Sequence, residues 1–254
     1  MPLIPINNKK VFVLELNPEA SEAIVLIHGM FTNMSIFYFN IAPKLAEKYH
    51  VVLYDLRSHG MSEKVDHGYS LKALSQDLLD LMDVLNLSKV DLVGYSFGGL
   101  ISLYTAIHFP EKIKKIAIID TPTTNKDGDI ENILEKYADV YLGNYVGDYT
   151  ASTNIIPNNK QLQKSKKLFD YLLYTSSLPQ DSVLDKNFSS KENMNLVKHE
   201  TLLLYGNKSD CLPDGEFLNA HIPNSILQVG EGDHNIPIQN FEWIIEKLHT
   251  FFII

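Results

Sequence analysis

Short β-branched runs alternate with stretches of helical spacing from Val11 to Ile119, and this alternation constrains the fold more than any other feature of the chain. The runs Val11 to Leu16, Ala23 to Ile27, Val51 to Tyr54, Val90 to Val93 and Ile116 to Ile119 have the length and composition of strands. Between the second and third, Ile41, Leu45 and Tyr49 recur at i, i+4 and i+8, the spacing that lines one helical face. After Ser70, an N-cap residue by type, Leu71, Leu74, Leu78, Leu81, Met82 and Leu85 follow the 3.6-residue period. A further helix is predicted over Gly98 to His108, stopped at Pro110. Strands that alternate with helices in this way imply a mostly parallel sheet covered by helices on both faces.

The alternation lapses between Pro122 and Val197, where Asn, Lys, Ser, Tyr and Gly dominate. It resumes with a strand over Thr201 to Tyr205, a helix near Glu216 to Ala220, a strand over Ile226 to Val229 and a closing helix from about Asn240 to Phe252. The expected organisation is therefore one α/β core, residues 1–121 and 198–254, interrupted by a mainly helical cap lobe over 122–197. A chain of 254 residues with 45% hydrophobic and 21% charged residues has enough apolar surface for one such core.

Lys and Arg number 22 against 31 Asp and Glu, a net charge of −9 that disfavours nucleic acid and anionic membrane surfaces as partners. The lysines at 164, 166 and 167 lie beside an apolar helical pattern and read as its solvated face. The first residues, MPLIPINNKK, lack the pattern of a secretory leader, and nowhere do about 20 apolar residues run together. A soluble cytoplasmic protein is expected. Cys211 is the only cysteine, which removes an internal disulfide and a cysteine-based zinc site from consideration.

Gly94, Tyr95, Ser96, Phe97, Gly98 and Gly99 stand between a predicted strand and a predicted helix, the context in which G-x-S-x-G forms a sharp turn presenting a serine. Side chains at Gly94 and Gly98 would collide with neighbouring backbone, and glycine gives the clearance. The turn places Ser96 at a helix N-terminus, so that the Phe97 amide can face an oxygen becoming negative in a tetrahedral intermediate. A serine hydroxyl needs a base with a pKa near the working pH, and histidine is the natural partner.

The ordered set of strand, then His28-Gly29-Met30-Phe31, then DLRSHGMS from Asp55 to Ser62, then GYSFGG, and finally YGNKSD and GDH resembles the α/β-hydrolase superfamily across nearly the whole chain. The resemblance implies Ser96 as nucleophile and His234 as base, since His234 follows a strand and a glycine-rich loop ahead of the last helix. It implies Asp210 as the acid, in the order Ser96, Asp210, His234, with Asp120 at the end of an earlier strand as the alternative. By the same resemblance the Met30 amide is the second oxyanion donor. His28 is expected to be structural, and His59, His67, His108 and His249 to lie in solvated loops or on helices. Arg57 is the sole arginine, and its planar fork of donors is expected to brace a loop. The family pattern has glycine where this chain has Ser58.

Phe31, Tyr95, Tyr141 and Tyr145 are the expected substrate contacts. The last two belong to a series, Tyr137, Tyr141, Tyr145 and Tyr149, spaced every four residues, which would pack the lobe on the core or wall an apolar pocket. The expected function is cleavage of a carboxylic ester or thioester of a small, largely apolar acyl substrate through an acyl-enzyme. No metal or organic cofactor is needed for it, and the oligomeric state is left open. The same three side chains would also suit carbon–carbon bond hydrolysis, acyl transfer or lyase chemistry, or persist in a ligand-binding receptor with little turnover.

Overall fold

A computed structural model describes residues 3–6, 8–124 and 159–252. Eight strands form one sheet in the order β1-β2-β4-β3-β5-β6-β7-β8. They are β1 (Leu3–Ile6), β2 (Lys9–Leu16), β3 (Ala23–Ile27), β4 (His50–Tyr54), β5 (Val90–Tyr95), β6 (Ile113–Ile119), β7 (Thr201–Gly206) and β8 (Ser225–Gly230). The β1–β2 and β2–β4 pairings are antiparallel, and every pairing from β4 through β8 is parallel. Among the described residues the α-helices are α1 (Ser35–Tyr38), α2 (Ile41–Leu45), α3 (Leu71–Val84), α4 (Phe97–His108), α5 (Asn159–Tyr174), α6 (Leu178–Leu184), α7 (Lys191–Met194), α8 (Leu212–His221), α9 (Ile236–Gln239) and α10 (Phe241–Phe252).

All five residues of β3 are buried, as are those of β4, because helices cover both sides of the sheet. Successive side chains alternate between the two faces: Val25 and Ile27 enter the apolar cluster that includes Leu71, Leu78 and Leu100, whereas Ile24 and Leu26 enter that of Ile41, Leu45 and Ile244. The parallel strands end along a common edge. In open α/β sheets ligands bind in the crevice beyond the carboxyl ends of the strands.

The α/β architecture matches the sequence expectation, with local differences. Strand β1 escapes the pattern because it is a four-residue edge strand, exposed at Leu3 and interrupted by Pro5. Helix α2 stops at Leu45, and Tyr49 instead packs its ring 6.4 Å from that of Phe252. Helix α8 begins earlier than its periodicity shows, because Gly215 breaks the apolar pattern. A β-carbon there would lie 2.8 Å from the Tyr205 ring. Helices α5 to α7 lie between β6 and β7 in sequence and are tied to the core loop preceding α3. Asp181 accepts the Tyr69 amide at 2.6 Å, and Asp185 accepts that of Leu71 at 2.7 Å. Among the described residues, no helix is long and apolar enough to cross a membrane.

Candidate active site

Ser96 follows β5 and caps α4 in a conformation (φ 52°, ψ −119°) that non-glycine residues rarely adopt. Such strain costs about 1–3 kcal/mol and persists only where surrounding contacts enforce it. Here the Ser96 amide donates to the Ile119 carbonyl at 2.9 Å, and the glycines supply clearance. A β-carbon on Gly94 would strike the Gly98 carbonyl, one on Gly98 the Ile27 carbonyl, and one on Gly99 the Thr121 hydroxyl. The Phe97 amide, first in α4, has no acceptor within the helix.

His234, in the loop after β8, places Nε2 3.0 Å from Ser96 Oγ. Its Nδ1 lies 3.0 Å from Oδ1 of Asp120. Asp120 directly follows β6, is fully buried and also has a positive φ. Its Oδ2 accepts the Gly206 amide at 2.8 Å, and its Oδ1 accepts the Ser209 hydroxyl. The His234 loop is fixed from below by Tyr95, whose hydroxyl donates to the His234 carbonyl at 3.0 Å.

The expectation that Asp210 orients the histidine is corrected: Asp210 is exposed, and Asp120, the alternative, holds Nδ1. The loop after β7 turns tightly, with Ser209 donating to Gly206 O at 3.1 Å and Leu212 to Ser209 O at 3.1 Å. That winding buries Ser209 beside Asp120 and sends its neighbour Asp210 to solvent. Asp233 caps its own loop by accepting the Asn235 amide at 2.8 Å. Tyr95, expected to touch substrate, is instead 2% exposed within the core. Tyr137, Tyr141, Tyr145 and Tyr149 lie outside the described residues.

The loop after β3 lies directly over the serine, so that a β-carbon on Gly29 would be 3.0 Å from Ser96 Cβ. Met30 and Phe31 are half-buried in it, and the Phe31 ring packs 5.2 Å from that of Phe169 in α5. His28 is fully buried and accepts the Leu56 amide on Nε2 at 2.9 Å. His59, expected at the surface, is 1% exposed, and its Nε2 accepts the Phe31 amide at 3.1 Å. The overlooked signal was its place inside DLRSHGMS, a motif that braces the loop. Arg57 in that motif donates from Nε to Asp77 at 2.8 Å and from a terminal nitrogen to the His67 carbonyl at 3.0 Å, as its fork of donors suggested.

Cys211 is buried, with Sγ 3.7 Å from His234 Nδ1. Asp120, Cys211 and His234 thus bring three potential metal-ligand atoms within 4.8 Å of one another. Two of the three already bond each other in the Asp120–His234 pair.

A family model described as the alpha/beta hydrolase fold matches residues 22–145. The chain is 27% identical over 261 residues to 3-oxoadipate enol-lactonase 1 of Acinetobacter baylyi, covering 95% of this chain and 93% of that one. It is 25% identical to 2-hydroxy-6-oxo-2,4-heptadienoate hydrolase of Pseudomonas putida, covering 91% and 89%. Uncharacterized mycobacterial proteins match at 33% identity over 121 residues, and this chain spans only about a third of their length (34%). The structure of an enol-lactonase from Burkholderia xenovorans superposes with a TM-score of 0.77 over all of both chains, at 19% identity. By its sheet order, its serine turn and these matches, the chain has the α/β-hydrolase fold.

Proposed function

We propose that the chain is a serine hydrolase that cleaves a carboxylic ester or thioester of a small, largely apolar acyl substrate. The observation that carries this reading is the continuous hydrogen-bonded line from Ser96 through His234 to a buried carboxylate, Asp120. Ser96 Oγ attacks the carbonyl carbon while His234 Nε2 takes the hydroxyl proton. The carbonyl oxygen becomes negative between the amides of Phe97 and Met30. Asp120 holds the imidazole in the Nδ1–H tautomer and stabilises the imidazolium. Collapse of the adduct expels the alcohol or thiol, which takes the proton from His234. Water then attacks the acyl-enzyme with His234 again as base, releasing the acid and restoring Ser96.

The core is assigned to residues 1–121 and 198–254 and the cap to 122–197, with α5 forming one wall of the acyl site. The contact of Phe169 with Phe31, and the cluster of Tyr69, Leu172 and Leu178, supply the apolar surface that this assignment needs. The substrate is the partner in this reading, and the mechanism draws on no metal or organic cofactor.

The relative from Pseudomonas putida favours a second reading, hydrolysis of a carbon–carbon bond beside a ketone by the same residues. One experiment serves both. Purified protein is offered p-nitrophenyl butyrate, a butyryl thioester and a ring-opened dienoic ketone, alongside Ser96→Ala. Ester or thioester turnover that falls by about 10⁴- to 10⁶-fold in the variant supports the first reading. Serine-dependent turnover of the ketone alone selects the second. Turnover that persists in Ser96→Ala removes both, and a protein inert to all three and to a fluorophosphonate probe favours a ligand-binding role.

A further inference from the structure

We propose that His59 is a positioning residue that locks the Gly29–Thr32 turn in a strained form, keeping the oxyanion donors aimed at the carbonyl oxygen above Ser96. The inference rests on the serine-hydrolase reading and adds to it a residue outside the Ser96, His234 and Asp120 set.

The turn is closed by the Thr32 amide donating to the Gly29 carbonyl at 3.3 Å. Phe31, its third residue, has φ 64°, while Met30 is not among the residues of positive φ. This is the pattern of a type II turn, which ordinarily takes glycine at that position. A phenylalanine there is strained, and the relaxed alternative is a type I turn in which the Met30–Phe31 peptide turns over. The Phe31 N–H then exchanges places with the Met30 carbonyl, reversing the peptide dipole adjacent to the Met30 amide.

His59 opposes that flip. Its Nδ1 faces the Arg57 carbonyl at 2.8 Å and must carry the proton, which leaves the Nε2 lone pair to accept the Phe31 amide at 3.1 Å. His28 makes the reciprocal stitch. Its Nδ1 donates to the Gly29 carbonyl at 2.8 Å, and its Nε2 accepts the Leu56 amide from the loop that carries His59. The two rings lie 5.3 Å apart. Asp55 adds a third stitch, accepting the Met34 amide at 2.9 Å. Each imidazole accepts only while neutral. Burial pushes His59 down to about 3, aided by its neighbour His28, and pushes His28 down to about 4.

The test compares His59→Leu, which removes the acceptor, with His59→Gln, which restores one. The readouts are kcat and KM on p-nitrophenyl butyrate, the inhibition constant of butylboronic acid as a tetrahedral-adduct mimic, and the melting temperature. In His59→Leu, kcat should fall about 10- to 100-fold with KM little changed, and boronate affinity should fall in parallel. His59→Gln should recover most of both. If the leucine variant does not fold, His59→Asn replaces it, because its side chain is too short to reach Phe31 and should show the same loss.

Unchanged kcat in the acceptor-lacking variant, or a loss confined to KM or to melting temperature with boronate affinity intact, overturns the inference and leaves the serine-hydrolase reading standing. A wild-type protein inert to the ester and to fluorophosphonate overturns that reading, and the inference with it.

Discussion

The two sides of Ser96 are held by acceptors of opposite character. On the His234 side the acceptor is a buried carboxylate, Asp120, bonded to an imidazole, an amide and a hydroxyl. On the side proposed to hold the oxyanion, the stitches nearest the turn are the neutral rings of His28 and His59. The difference follows the charge each side must meet. In the proposed mechanism an imidazolium forms beside Asp120, where negative charge is stabilising. In the same mechanism an oxyanion forms beside Met30, where a nearby carboxylate would oppose it and a neutral ring nitrogen does not. The carboxylate on that side, Asp55, is turned to the amides of Met34 and Met61.

The hardest blow to this contrast is to remove the charge on the acid side. Asp120→Asn should lower kcat by about 10³- to 10⁴-fold, whereas Asp210→Asn should stay within about twofold of wild type. Steady-state kinetics on one ester decides it, and equal losses in the two variants would erase the distinction between the buried and the exposed carboxylate. A milder perturbation is Ser209→Ala, which leaves Asp120 the Gly206 amide and His234 but takes away the hydroxyl. Loss of about tenfold in kcat is expected, since one of several bonds to a buried charge is removed.

The oxyanion side is sharpened by pH. His28 and His59 have folded-state pKa values below the ordinary 6.5, so between about 4 and 6.5 the unfolded chain binds more protons than the folded one. Their contribution is present above 6.5 and is lost as pH falls toward 4. Asp91 and Asp185, both raised to about 6 by burial, act in the opposite sense and offset part of the decline. Thermal melts from pH 7 to 4.5 should therefore fall less steeply in His59→Gln than in wild type. Identical slopes would mean that the ring is not held neutral.

How much of the site could be read beforehand depended on how local each residue's role is. Ser96 and the glycines around it announce themselves because the turn is made by consecutive residues. His234 is marked by its glycine-rich loop. The choice between Asp120 and Asp210 was not available locally: both follow strands, and only the winding of 206–211 shows that Ser209 faces inward and Asp210 outward. Tyr95 failed for the same reason, since being next to the nucleophile in sequence directs its side chain into the core. His59 looked like a loop residue because its partner, the Phe31 amide, lies 28 positions away.

The alternation of strand and helix periods, the serine turn and the missing second cysteine were settled by the order of amino acids alone, because each depends on neighbours within a few residues. The identity of the carboxylate, the burial of His28 and His59, and the strained turn at Phe31 were decided by tertiary structure. Each is a hydrogen bond between loops distant along the chain, and only the parallel sheet brings those loops to a single edge.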